Sequence, residues 1–179
     1  MNNGLSGRDV RAARLKATGT EVIVSTLNDF QIIALLDALK KVNHTHVYIL
    51  GGDTIKTTLM LKNGAGIVRG LYATSPILDA REFSAGAAFL EKYQAKFKMA
   101  PAYGGHYTYD AMHVLAAAIR RSESAKPEKI VETLRKIDGH APITGSMKWN
   151  DKGEQRYGVI SVYSKNGAVW ESQVRSDSW

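Results

Sequence analysis

One pattern constrains this chain more than any other. Short β-branched runs alternate with segments of helical period through its first two-thirds. Asp9 to Ala17 reads as a weak helix with Val10, Ala13 and Ala17 on one face, and Gly19 closes it. Glu21-Val22-Ile23-Val24-Ser25 has the composition of a buried strand. Asn28-Asp29 can cap a stronger helix whose apolar face is Ile32, Ile33, Leu36 and Leu39. His46 to Leu50 is the next strand, broken by Gly51-Gly52; a helix from Thr54 to Lys62 follows, and Ile67 to Thr74 is strand-like again. Strand, loop, helix and strand at this spacing imply right-handed βαβ units and a parallel sheet.

The pattern then changes. Ala80 to Lys98 reads as one long helix burying Phe83, Ala87, Leu90, Tyr93 and Phe97. A glycine-bearing linker, Met99 to Gly105, leads to a helix from Thr108 to Arg121, with Ala111, Met112, Leu115, Ala118 and Ile119 expected inside. Pro127 suits the first position of a third helix carrying Ile130, Val131, Leu134 and Ile137. Ile143 to Trp149 alternates like a strand and Asn150 to Gly153 turns. Tyr157 to Tyr163 and Ala168 to Val174 flank Asn166-Gly167, a strong hairpin signal. The expected architecture is α/β, built on a parallel sheet and ending in an antiparallel hairpin.

Composition removes several functions. The chain has no cysteine, so disulfide scaffolds, thiol nucleophiles and zinc ribbons are excluded. The net charge is +7, but the excess is spread along all 179 residues. Its densest runs, Arg8/Arg11/Arg14/Lys16 and Lys92/Lys96/Lys98, have helical spacing and read as solvated faces. A nucleic-acid binder gathers its charge into a patch interleaved with stacking aromatics, so no nucleic-acid partner is expected. Met1-Asn2-Asn3-Gly4-Leu5 lacks the form of a secretory signal. Apolar stretches fall short of the roughly 20 residues that cross a bilayer, and a soluble chain is expected.

Ligands of open parallel sheets bind beyond the carboxyl ends of the strands. Two loops qualify: Ser25 to Asp29 after the first strand and Gly51 to Thr54 after the second. A carboxylate at Asp53 can receive an ammonium group; Asp53 or Thr54 can equally cap the helix that follows. Gly64-Ala65-Gly66 closes a helix and precedes a strand, the reverse of the dinucleotide fingerprint. No phosphate-binding lysine loop and no Gly-x-Ser-x-Gly elbow occurs. His44 and His46 lack a third metal ligand and read as surface histidines. His106 and His113 have no acid or nucleophile paired by spacing. Tyr103, Tyr107 and Tyr109 form either a ligand wall or helix-entry packing. No catalytic constellation and no cofactor or metal site is assembled by these residues.

The ordered series of segments resembles one family. Ile49-Leu50-Gly51-Gly52-Asp53, Gly70-Leu71-Tyr72 and Phe89-Leu90-Glu91-Lys92-Tyr93 come first. Tyr107-Thr108-Tyr109-Asp110-Ala111, Thr144 through Gly153 and Val162-Tyr163 follow. Together they resemble the type I periplasmic solute-binding proteins of the branched-chain amino-acid (Leu/Ile/Val) ABC-transporter group. The match is to the C-terminal half of the pattern, whose members are roughly twice this size.

The resemblance implies a periplasmic-binding-protein-like type I fold with incomplete lobes. Residues 1–70 would be the back half of one lobe. Residues 71–141 would be a hinge strand and the back half of the other, and residues 142–179 a return hinge and hairpin of the first. It further implies a small amino acid or amide as ligand, a membrane permease as partner, periplasmic action and no catalysis. Asp53 matches the acidic residue that grips the α-ammonium, and Tyr109 the tyrosine that faces the cleft. Leu27 falls near a cleft position that is often aromatic, and Thr54 is a neighbour. Incomplete lobes leave apolar edges, for which self-association is expected. An alternative within the same fold is a cytoplasmic amino-acid or amide sensor.

Overall fold

A computed structural model of the protein describes residues 7–64 and 67–178. The reading of Met1 to Leu5 lies outside the described residues, as do Ala65 and Gly66 of the Gly64-Ala65-Gly66 segment. The chain forms two compact units. The first comprises the chain up to Pro76 together with Ile160 onward, and the second is Ile77–Val159.

The first unit holds helices α1 (Gly7–Ala17), α2 (Asp29–Lys41) and α3 (Thr58–Asn63) with strands β1 (Val22–Ser25), β2 (Tyr48–Gly51) and β3 (Gly70–Ser75). Strands β1, β2 and β3 pair in parallel, as the βαβ spacing implies. Two later strands, β6 (Ser161–Asn166) and β7 (Val169–Arg175), extend the sheet antiparallel beside β3, in the order β1-β2-β3-β6-β7. Helix α2 starts where Asn28 predicts: its side chain accepts from Gln31 N while Gln31 reaches back to Asn28 N, a complete capping box. The apolar face of α2 is Ile32, Leu35, Leu36 and Leu39, rotated slightly from the expected set so that Ile33 is only partly buried. These residues pack with Ala12 of α1, Val47, Ile49, Ile55, Met60, Leu71 and Ala73 into one core. Val22 and Val24 on the edge strand β1 remain 58% and 75% exposed.

The expected helix from Thr54 to Lys62 is two pieces: a 3₁₀ turn at Asp53–Ile55, then α3. Thr57 divides them, because its side chain accepts from Met60 N and caps a new helix start. The hairpin turn is displaced by one residue. Asn166 pairs with Val169, so the two central positions are Gly167 and Ala168, and the positive φ of 57° falls on Gly167. That is the requirement of a II′ turn rather than of an Asn-Gly I′ turn.

The second unit holds α4 (Gly86–Phe97), α5 (Gly105–Ser122), α6 (Pro127–Arg135) and a two-stranded hairpin, β4 (Asp138–Ala141) and β5 (Gly145–Lys148). Ile143 to Trp149 therefore lies in this unit. Three expectations change here. Ala80 to Lys98 is not one helix: a 3₁₀ turn at Ala80–Glu82, with Asp79 and Glu82 forming its own capping box, precedes α4. The chain folds back there so tightly that a Cβ on Gly86 would overlap the Ala80 carbonyl oxygen. Gly86→Ala is accordingly expected to lower stability by about 1–3 kcal/mol, read as a shift in the urea midpoint at constant slope.

The second change concerns α5. Its buried line is His106, Asp110 and Ala118, whereas Met112, Leu115 and Ile119 are 62%, 37% and 40% exposed. Ala87 and Phe97 of α4 are likewise exposed. Polar satisfaction decides the rotation of α5. Asp110, 1% exposed, accepts from Ile143 N at 3.0 Å and from Thr144 N and Oγ1 at 2.7 Å each. Third, β4 forms where the sequence shows only the end of a helix; it is mostly exposed and is recruited by pairing with β5.

Candidate functional site

Parallel pairing aligns β1 and β2 from Val22↔Tyr48 to Ser25↔Gly51, so both strands deliver their carboxyl ends to one side of the sheet. Two loops leave from there. In the first, Ser25 Oγ accepts from Leu27 N at 3.1 Å before Asn28 opens α2. In the second, Gly52 precedes the 3₁₀ turn that begins at Asp53. A Cβ on Gly51 would collide with the Ile55 side chain, so glycine is what lets the turn fold back over β2.

The loops are joined. Thr54 Oγ1 donates to the Leu27 carbonyl at 3.3 Å, and Thr74 Oγ1 of β3 donates to the Gly51 carbonyl at 3.4 Å. Beneath them, Thr57 Oγ1 donates to Asp29 Oδ2 at 2.9 Å, and Trp170 Nε1 of β7 donates to the Thr57 carbonyl at 3.1 Å. Lys56, only 8% exposed, holds its ammonium 3.4 Å from the ring centroid of Tyr163, a desolvated cation–π contact. Thr57 and Lys56 thus support the second loop, where helical spacing predicts the interior of a helix. The signal for Thr57 was available: a β-hydroxyl residue directly before Thr58-Leu59-Met60-Leu61.

Asp53 is half-buried at the first position of the 3₁₀ turn. The cap position is Gly52 and no side chain bonds there. Among the described residues the Asp53 carboxylate takes no hydrogen bond or ion pair. Thr54 is exposed and Leu27 half-buried, the latter packed against the core. Asp53, Thr54 and Leu27 are therefore brought together in the first unit. A half-buried carboxylate beside a hydroxyl and an apolar side chain can accept the donors of an ammonium group whose substituent is apolar.

Tyr109 belongs to the second unit, on α5, and is 43% exposed. Its ring contacts Phe89 and His113 at centroid distances of 5.4 and 4.4 Å. The tyrosines differ in role. Tyr107 packs edge-on against Phe83 and its hydroxyl accepts from Leu78 N at 3.4 Å, while Tyr103 is 46% exposed. Tyr107 is helix-entry packing, whereas Tyr109 is exposed. His44 is half-buried and its Nε2 lies 2.9 Å from the Thr20 carbonyl. No group of three metal-binding side chains occurs among the described residues, and among them no helix is long and apolar enough to cross a membrane.

Charge pairs that shift titrations lie elsewhere. Lys136 and Lys129 hold the Glu132 carboxyl below its ordinary range, and the Asp138 hydrogen bond raises Lys148. Arg175 lowers Asp177, and Asp79 raises Arg81. These are surface pairs, whose contribution to stability is small.

The sequence profile of the periplasmic binding protein family matches residues 9–163. No curated protein sequence matches the chain. Among solved structures, the leucine-binding protein LivK of Thermotoga maritima superposes with a TM-score of 0.80 at 22% identity, covering 100% of this chain and 51% of that one. LivJ of Streptococcus pneumoniae, in complex with isoleucine, gives 0.72 at 20% identity over 96% of this chain and 49% of its own. A solute-binding protein of an R. palustris ABC transporter, in complex with benzoate, gives 0.75 at 11% identity over 98% and 48%. The chain spans about half the length of these structures, and the fold they share with it is the type I periplasmic binding fold.

Proposed function

This chain belongs to the periplasmic binding protein family, and from that premise we propose that it contributes to amino-acid capture for an ABC importer. The ligand class is a small amino acid with an apolar side chain, branched-chain or similar. Asp53 accepts the α-ammonium, Thr54 supplies a hydroxyl beside it, and Leu27 offers apolar surface to the ligand side chain. A charge-assisted contact at Asp53 supplies the affinity for the ammonium group. No chemistry on the ligand is part of this role; its partner is a membrane permease and its place of action the periplasm.

The observation that carries this reading is the state of Asp53. A half-buried carboxylate with no partner among the described residues forfeits solvation without gaining a bond. An ammonium ligand restores that bond.

Titration calorimetry with L-leucine, L-phenylalanine and acetamide tests the proposal. Saturable heat with leucine, weaker heat with phenylalanine and none with acetamide is expected. Equal heats for leucine and acetamide would remove the ammonium from the recognition chemistry, and no heat with any of the three would reject amino-acid binding by this chain.

A further inference from the structure

The arginine run of α1 faces a groove. Arg8, Arg11 and Arg14 line one side of an open groove of about 600 Å³ between α1 and α2. Leu15, Leu27 and Leu35 form its apolar wall, with Thr18 and Gln31 also lining it. The spacing explains the alignment: positions three apart share one helix face, so three guanidiniums stand in a row.

Among the described residues no carboxylate lines the groove. Among the described residues none of the three arginines forms an ion pair, and Asp9 on the same helix lies 3.6 Å from Lys41 Nζ. Asp29, at the start of α2, accepts from Phe30 N and Thr57 Oγ1. Arg11 Nε donates to the Gly7 carbonyl at 3.1 Å, which holds that side chain along the helix. Gln31 Oε1 is committed to Asn28 N in the capping box, and Thr18 Oγ1 to the backbone carbonyls of Arg14 and Leu15.

We propose that this groove is a binding site for a small amphipathic anion, a carboxylate on an apolar body. Charge complementarity selects the head: guanidiniums present paired donors that match a carboxylate. The three leucines select the body, since they leave apolar surface beside the cations that water solvates poorly. Contact with that body excludes water from the charged rim and strengthens the head-group attraction. Neither part alone suffices, because exposed ion pairs are weak and screened by salt. The site is separate from Asp53. Leu27 borders both regions: its carbonyl accepts from Thr54 Oγ1, and the residue also lines the groove.

The test is a methyl-NMR titration of the protein with octanoate, 1-octanol and acetate, following Leu15, Leu27 and Leu35. Octanoate is expected to shift all three, with 1-octanol and acetate each at least tenfold weaker. Arg11→Gln/Arg14→Gln should weaken octanoate at least tenfold and leave 1-octanol unchanged; both arginines are exposed, so the fold is retained. The octanoate affinity should also be the same in Asp53→Asn, which separates this site from amino-acid binding. Acetate as tight as octanoate would mean adventitious anion binding, and 1-octanol as tight would mean a merely greasy surface. Either result overturns the proposal, as does an unchanged octanoate affinity in the double variant or no shift at all.

Discussion

Asp110→Ala is expected to lose about 3 kcal/mol or more of stability in the second unit. The Asp110 carboxylate is the single acceptor for two backbone N–H groups and one hydroxyl of the Ile143-Thr144 corner, at 2.7–3.0 Å and away from water. Truncation removes the charge-assisted bonds and leaves buried donors unsatisfied, which costs more than the bonds contribute. Chemical denaturation followed by circular dichroism reads the loss. Hydrogen exchange at Ile143 and Thr144 localises it, because those amides should exchange faster before global unfolding does. Asp110→Asn keeps one carbonyl oxygen and should fall between wild type and alanine. Wild-type stability in Asp110→Ala would show that the α5 rotation has another cause.

Asp53→Asn should produce the opposite profile. Stability is expected to stay within about 0.5 kcal/mol, since the Asp53 side chain makes no hydrogen bond among the described residues. Leucine affinity should fall at least about tenfold, or 1.4 kcal/mol, the low end for a charge-assisted bond replaced by a neutral one. Asparagine preserves shape and one acceptor, so the loss isolates the charge. Calorimetry on wild type and variant under one buffer gives the comparison. A variant that binds leucine unchanged removes Asp53 from the site, whatever its position in the loop.

These two aspartates show what a sequence makes legible. Asp53 is legible as a candidate because a local pattern marks it: a β-branched strand, two glycines and an acid at the carboxyl end of a parallel strand. The βαβ core was visible for the same reason, since alternation of period is a local property that burial enforces. Asp110 sat inside a motif but carried no local sign of its task. Its partners are 33 and 34 residues away, and only the fold brings them together. With Asp110 on the buried line of α5, Ala118 is buried as helical spacing predicts, while Met112, Leu115 and Ile119 are exposed. Gly86 was equally silent, because its need for no Cβ arises from a chain reversal and not from its own neighbours in sequence. The hairpin signal gave the right turn and the wrong pair of central residues, since cross-strand pairing, not the dipeptide, sets the register. The arginine run illustrates the converse: spacing identified a solvated face, and the groove beside it became visible only with α2 in place.

Recognition of an ammonium group by Asp53 is resolved at single residues by backbone NMR. The amides of Asp53 and Thr54, which do not line the α1/α2 groove, should shift with L-leucine and with leucinamide, which keep the ammonium, and stay in place with 4-methylpentanoate, which has the same side chain without it. Shifts of equal size with 4-methylpentanoate and leucine, or no shift at these two residues with leucine, would contradict it.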